Sequence, residues 1–463
     1  MSKDDIFRYP EEIKSQFFEK EDLVFKDGTR ATTEQIWNFM ADEGPRRYPY
    51  AFNTSTHHVG RISSDVNFLS GIKRGYFALT LYDRMTKAQN SGVPIVFIQG
   101  GQGMEPYYAA GGIPARPAFI SQWALNKKEG LNLREADIRG NKIREESRKA
   151  ISVEACQTAG YGTVQEGFIS VDLIAPYLCL RCSDIAYGVE AYRHGKVKVP
   201  LFLVDYPVGS QQDAEWAVKY LSKNLKDLVQ EISKLSGKEV TEDDVRNEIK
   251  LHNQIRRLAR KYADLWWGAK IPPTNSVDHS STLQLGNEGY GDPTAAKQIL
   301  EESYVEAKER VKNNVKGEGL SDDPARLFIC GSCVTPNPYL VDKAGGVVVA
   351  KDDGWSEVST DVAETGDPYE NLARAILSYP YEQPTEERAA WTAEQVIKSN
   401  ADGLIFMYNW GCNYQTAVAR EVADIVKTET GIPTINIELA ELGRREALEQ
   451  SHNRVEAFIE MMK

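Results

Sequence analysis

The chain is 463 residues long, more than one ordinary core supports, so two or three domains are expected. Hydrophobic residues make up 41% and charged residues 26%, a soluble globular balance, and 55 Lys+Arg against 67 Asp+Glu give a net charge of −12. That charge excludes a nucleic-acid reader working through a basic footprint. No run approaches the roughly 18 apolar residues of a membrane span, and the polar start Met1-Ser2-Lys3-Asp4-Asp5 reads as no secretory signal. A cytoplasmic protein with neither nucleic-acid nor membrane partners is therefore expected.

Residues 1–90 form a mixed N-terminal segment, with short helices expected over 11–18 and 33–40 among Pro, Tyr, Thr and His of no clear period. Counted from Thr33 there is no capping box, because Ile36 stands three residues on; Thr32-Thr33-Glu34 still reads as a helix start. From Val93 the pattern changes. Buried strands are expected over 93–98, 172–176 and 199–205, with a helix from Glu105 to Ala110, so residues 91–212 read as a first α/β domain of parallel βαβ units. Residues 213–320 read as a helical segment: helices over 214–235, 241–267 and 294–314, charged on their exposed faces. Strands over 326–329, 346–350, 403–407 and 432–437, alternating with helices over 368–377, 386–399 and 415–430 and closed by one over 450–462, make 321–463 a second α/β domain.

Six cysteines punctuate this plan: Cys156, Cys179, Cys182, Cys330, Cys333 and Cys412, with two Cys-x-x-Cys pairs at 179–182 and 330–333. Most follow apolar strands, and in open α/β sheets ligands gather beyond the C-terminal strand ends. In a cytosolic chain of this size they read as ligands of an iron–sulfur cluster or of zinc rather than as disulfides; packing as small buried hydrophobes is the plain alternative. Small zinc modules set such pairs closer together in sequence. A thioredoxin-like pair would open a helix, whereas Val334-Thr335-Pro336-Asn337-Pro338 looks like a loop.

Gly100-Gly101-Gln102-Gly103 could bring backbone close to a ligand. Pro106 stands where the dinucleotide fingerprint wants its third glycine, and no P-loop Lys-Ser/Thr follows. Glu105 is an acid–base candidate or a plain helix-start charge. Arg116 could hold a phosphate or carboxylate, and His57-His58 could share a ligand; Arg116 reads first as a plain surface charge and the histidine pair first as surface or packing residues. Trp266-Trp267 read as packing.

The chain resembles subunits of the 2-hydroxyacyl-CoA dehydratase and benzoyl-CoA reductase family over roughly residues 90–463. The resemblance is carried by Gly92-Val93-Pro94-Ile95-Val96 through Glu105 to Ala109-Ala110-Gly111-Gly112-Ile113-Pro114, by Cys156 with Gly160-Tyr161-Gly162, and by Cys182 and Val204-Asp205-Tyr206-Pro207. Further on it rests on Arg326-Leu327-Phe328 with Cys333, Tyr408-Asn409 with Cys412, Gly431-Ile432-Pro433 and Arg454-Val455-Glu456-Ala457-Phe458. It implies two Rossmann-like parallel-sheet domains facing a cleft that holds a 4Fe-4S cluster, with a helical segment between them. The implied ligands are Cys156, Cys182 and Cys412, with Cys179 an alternative to Cys182. An open iron would meet an acyl-CoA thioester, with Gln102, Gly103 and Glu105 facing it, Gln102 and Glu105 as catalytic residues and Arg116 near the CoA. Implied partners are a homologous second subunit and an ATP-dependent iron–sulfur activator, whose electron turns the thioester into a ketyl radical. The sequence alone does not separate dehydration from aromatic ring reduction. A cluster-bearing electron-transfer subunit and a zinc-stabilised interaction subunit stay open as alternatives. The extra cysteines of double-cubane relatives are missing: the corresponding stretches read Lys351-Asp352-Asp353-Gly354-Trp355-Ser356 and Ser378-Tyr379-Pro380-Tyr381.

Overall fold

A computed structural model describes residues 7–48, 51–52, 65–98, 103–115, 171–178, 199–205, 207, 213–331, 336–409, 412–439 and 445–463. The N-terminal segment comprises a 3-10 turn (Glu11–Ile13), α1 (Lys14–Phe18), the antiparallel pair β1 (Leu23–Val24) and β2 (Arg30–Ala31), and α2 (Thr33–Asn38). Contrary to expectation a capping box is present, because the cap is Thr32 rather than Thr33. Thr32 Oγ1 accepts from the Gln35 amide at 3.2 Å, and Gln35 Oε1 accepts from the Thr32 amide at 2.9 Å. A π-helical turn (Phe39–Glu43) and α3 (Gly44–Arg47) carry the helix beyond its expected end. Next come α4 (Leu69–Leu79) and α5 (Leu81–Asn90), neither expected from the sequence. The reason is burial: α4 is covered on nearly every face, Lys73 and Arg74 included, so it has no one-sided apolar stripe to detect.

In the first α/β half, β3 (Ile95–Phe97) leads to α6 (Glu105–Ala109) and β4 (Ile113–Ala115). With β5 (Leu173–Ile174) these strands form a parallel sheet of order β4-β3-β5. A second parallel pair joins β6 (Tyr177–Leu178) to β7 (Val204–Asp205). The strands expected over 93–98, 172–176 and 199–205 thus form, shorter than the apolar runs that predict them.

The helical segment contains α7 (Glu215–Ser236), α8 (Glu242–Gly268), α9 (Ser276–Glu288) and α10 (Pro293–Lys312). Its exposed faces are rich in charge, as expected, but some of its charges are buried. Arg74 pairs with Asp278, Lys73 with Glu302 at 2.7 Å, and Arg310 with Asp65 at 2.7 Å, so buried ion pairs tie the N-terminal segment to α9 and α10. Trp266 and Trp267 are buried as packing residues; Trp266 stacks on the His279 ring at 4.0 Å.

The second half runs β8 (Ala325–Cys330), α11 (Pro338–Lys343), β9 (Gly346–Lys351), α12 (Asp352–Val358), α13 (Pro368–Leu377), α14 (Thr385–Lys398), β10 (Gly403–Asn409), α15 (Asn413–Thr430), β11 (Thr434–Leu439) and α16 (Arg445–Met462). All four strands are parallel, in the order β11-β10-β8-β9. Alternation along β8 explains why both faces are covered. Leu327 and Ile329 join a core with Phe458 and Ile459 of α16, while Phe328 and Cys330 join the core shared with α8, α14 and α15. Strand order reverses between β8 and β10, which is the position where doubly wound sheets open a ligand crevice at their C-terminal edge.

One helix crosses the boundary between the halves. Tyr369, Leu372, Ala373, Ile376 and Leu377 of α13 are buried in the same core as Val96, Leu173, Leu225 and Ile232 of the first half and α7. No helix among the described residues is long and apolar enough to cross a membrane.

Candidate functional site

Two neighbourhoods meet near the C-terminal edge of the β8–β10 sheet. The first is the edge itself. Cys330 ends β8, and Gly331 turns the chain with φ +115°, where a Cβ would lie 1.9 Å from the Met407 carbonyl oxygen. Only glycine lets the chain leave β8 this close to β10. Cys412 follows β10 and stands at the N-cap of α15; its carbonyl accepts from the Thr416 amide at 3.0 Å, and the residue is half-buried. A thiolate there has the positive end of an 18-residue helix behind it.

Beneath this edge lies a buried ion pair. Arg388 Nη2 donates to Asp352 Oδ2 at 2.5 Å, and both side chains are essentially inaccessible. Asp352 Oδ1 accepts from the Gly331 amide at 3.1 Å and the Asp353 amide at 2.8 Å, so both of its oxygens are engaged. The guanidinium lies 4.2 Å from the Tyr381 ring centre and reaches Tyr414 Oη and Gln415 Oε1, each at 3.4 Å, in the first turn after Cys412. Burial pushes the Asp352 carboxyl up, and Arg388 offsets only part of this. Burial, with Asp352 alongside as a negative hydrogen-bond acceptor, pushes the Cys330 thiol well above its ordinary value. The two described cysteines therefore differ in kind. Cys412 is half-buried at a helix N-terminus, whereas Cys330 is fully buried beside Asp352, which with burial pushes its thiol up.

The second neighbourhood is a solvent-open cleft of about 570 Å³ between α6, α8, α9, α12 and α13. Glu105, the first residue of α6, is fully buried at its inner end, and Arg256 Nη2 of α8 donates to Glu105 Oε1 at 2.5 Å. Arg256 is fixed in turn by Nη1 donating to Asn253 Oδ1 at 3.0 Å. Burial raises the Glu105 carboxyl, but the charge of Arg256 and then the field of His252 outweigh it and hold the group below its usual value. Glu105 Oε2 and Asn287 Oδ1, both buried, have no hydrogen-bond partner among the described residues. Val362, Leu372, Ala375 and Ile376 form an aliphatic wall. Tyr379 links the two neighbourhoods: it lines the cleft, donates its hydroxyl to the Asp353 carbonyl at 2.7 Å, and lies 6.0 Å from the Tyr381 ring.

Gly103, Glu105 and Cys412 are thus the expected site residues that the structure describes, and Gly103 lines the same cleft as Glu105. Gln102, Arg116, His57, His58, Cys156, Cys179, Cys182 and Cys333 lie outside the described residues. Among the described residues no three Cys, His, Asp or Glu side chains gather as a metal site. Cys412, half-buried at a helix N-terminus, fits a cluster ligand, while Cys330 is fully buried at the strand end. Sequence reasoning does not find His252, Arg256 and Asn287. The i, i+4 spacing of His252 and Arg256 is the available signal, hidden when charged helix faces are taken to be exposed.

A profile of the 2-hydroxyglutaryl-CoA dehydratase, D-component family matches residues 104–462. The chain is 26% identical over 234 residues to a benzoyl-CoA reductase subunit of Thauera aromatica, covering 48% of this chain and 58% of that protein. It is 22% identical over 304 residues to the (R)-phenyllactyl-CoA dehydratase alpha subunit of Clostridium sporogenes, covering 62% and 71%. It is 23% identical over 303 residues to the alpha subunit of (R)-2-hydroxyglutaryl-CoA dehydratase of Acidaminococcus fermentans, covering 62% and 60%. The profile takes in Glu105, Arg256 and Asn287 of the cleft, both cysteines of the sheet edge and helices α11 to α16 and strands β8 to β11 of the second half, and the chain belongs to the 2-hydroxyglutaryl-CoA dehydratase D-component family.

Proposed function

We propose that this chain is the iron–sulfur subunit of an acyl-CoA-processing enzyme that works by one-electron reduction of a CoA thioester. The reaction is 2-hydroxyacyl-CoA dehydration or ring reduction of the benzoyl-CoA type. The observation that carries the reading is Cys412, set at a helix N-terminus beside the strand reversal in a chain of this family. In this reading two Rossmann-like domains face one another, and Cys156 and Cys182 of the first join Cys412 of the second as ligands. A 4Fe-4S cluster, when bound, supplies a low-potential electron and an open iron as Lewis acid. The protein's own side chains do the rest. Arg256 keeps the buried Glu105 anionic, so that Oε2 can take up a proton in the cleft. The aliphatic wall offers an apolar surface to the acyl group. Gln102 acts beside Glu105 on the thioester, with Arg116 toward the CoA. A homologous second subunit and a separate ATP-dependent iron–sulfur activator complete a cytoplasmic enzyme.

Anaerobic iron and acid-labile sulfide analysis of the wild type and of Cys412→Ala tests the reading. Iron and sulfide in cluster proportion in the wild type, lost in the variant, is the expected result. Zinc, or no metal, in the wild type would sink it.

A further inference from the structure

We infer that His252 is a proton-exchanging residue of the cleft and that Lys26, in the turn between β1 and β2, is its positioning residue, acting through Glu248. The inference stands on these side chains and does not need the acyl-CoA reading. It joins the N-terminal segment, which lies before the family profile begins at residue 104, to a cleft that the profile covers. Glu248, His252 and Arg256 recur every fourth residue of α8 and so form one stripe along the helix. Both ends of the stripe are fixed. Lys26 Nζ donates to Glu248 Oε1 at one end, and Arg256 is bonded to Glu105 at the other. Lys26 is itself held in place: its amide donates to Asp292 Oδ2 at 2.8 Å, and its ammonium lies 5.6 Å from the Tyr108 ring centre.

His252 stands in the middle of this row, between two fixed charge pairs. Its Nδ1 lies 2.9 Å from the Glu248 carbonyl oxygen; a carbonyl only accepts, so Nδ1 carries a hydrogen and the lone pair of the neutral ring is at Nε2. Nε2 has no hydrogen-bond partner among the described residues, and the ring, 5.6 Å from that of Tyr108, lines the cleft. Glu248 Oε2 is buried without a hydrogen-bond partner among the described residues and lies 3.8 Å from Nδ1. That is too long for a hydrogen bond and close enough to favour a charged ring. A proton passed from a molecule in the cleft, water included, to Nε2 therefore meets a counter-charge already in place, and it returns by the same route with no other bond changed. Lys26 sets how much of that counter-charge His252 meets, because the ammonium on Oε1 offsets the carboxylate. The other charges near the ring are Glu105 and Arg256, which offset one another, and Glu357 of α12, which lines the same cleft.

Diethyl pyrocarbonate, which acylates only the unprotonated imidazole, tests this on the anaerobically purified full chain. Mass spectrometry of the peptide that carries His252 gives the modification rate at about pH 6 and about pH 9, either side of the range in which imidazoles change charge. At the lower pH the rate should fall about three- to tenfold in Lys26→Met, where the uncovered carboxylate favours the charged ring. It should rise in Glu248→Gln, which has no carboxylate, and stay within about twofold of the wild type in Lys26→Arg, which keeps the cation. At the higher pH all four proteins should agree within about twofold. A Lys26 that only holds the hairpin in place predicts the opposite sign, since a loosened turn uncovers the ring and speeds modification at both pH values. That result would overturn the inference, as would equal rates at the lower pH in the wild type and Lys26→Met, or a His252 that does not react in the wild type. The Glu248→Gln arm keeps the test open if Lys26→Met does not fold: an unchanged or slower rate there overturns the inference as well. No thioester enters the experiment, so its outcome is separate from that of the acyl-CoA reading.

Discussion

Two buried carboxylate–guanidinium pairs lie in adjoining parts of the molecule and are built to opposite ends. Asp352 commits both oxygens: one takes the Arg388 guanidinium, the other takes two backbone amides that fix the end of β8 and the start of α12. Glu105 commits only one, to Arg256, and its second oxygen is buried without a hydrogen-bond partner among the described residues. A fully engaged pair holds geometry; a half-engaged pair is a binding group. The difference separates the floor of the sheet edge, whose job is to keep Cys412 and its helix in place, from the wall that meets a ligand.

Stability measurements can break this contrast most directly. Arg388→Leu strands a buried carboxylate and should cost about 3–5 kcal/mol in urea unfolding. Glu105→Gln should cost less, roughly 1–2 kcal/mol, because a neutral amide removes the ion pair while Arg256 keeps Asn253 and partial access to solvent. Equal losses in the two variants would end the distinction.

The pH dependence of stability sharpens it, because the two groups shift in opposite directions. Glu105 is held below its unfolded value of 4.5, so its contribution is present above that pH and is lost as pH falls below it. Asp352 is raised above its unfolded value of 3.8, so its contribution is present below that pH and is lost as pH rises through the raised value. Glu105→Gln should therefore flatten the acid limb of the stability profile, and Asp352→Asn should flatten a loss on the other side. Each change in slope is at most about 1.4 kcal/mol per pH unit. Urea midpoints collected from about pH 3 to about pH 8 read both signs, and slopes changing in the same direction would contradict the assignment.

The smallest expected effect is at the second cysteine. Cys330→Ser should leave iron and sulfide unchanged, because the Cys330 thiol is fully buried in the core rather than open at the sheet edge, and should cost only about 1 kcal/mol of stability. Loss of iron in that variant would move Cys330 into the ligand set.

How far the sequence can be read depends on burial. Helix α13 is legible at its observed limits, and the strands of the second half to within a few residues, because each carries an apolar pattern of its own period. Helix α9 is not legible, although it contains Ser276, Asp278, His279 and Thr282, all buried; polar residues in a covered helix erase the stripe that periodicity needs. At the site, Cys412 and Glu105 are visible as residue types in the right places. Arg256, His252 and Asn287 are not, since nothing in a charged helix sequence says which of its charges turns inward. Only the packing of α8 and α9 against α6 and α12 brings them to one cleft.

The sharing of α13 between the halves has a consequence for synthesis. The first-half core, built on Val96, Leu173 and α7, is closed by side chains that lie after residue 368. A ribosome working at roughly 5–20 residues per second needs on the order of ten to thirty seconds to travel from α7 to α13. For that interval the nascent first half displays an apolar groove with no occupant. A chain stopped near residue 320 should therefore aggregate or recruit a holdase rather than fold as a free-standing half.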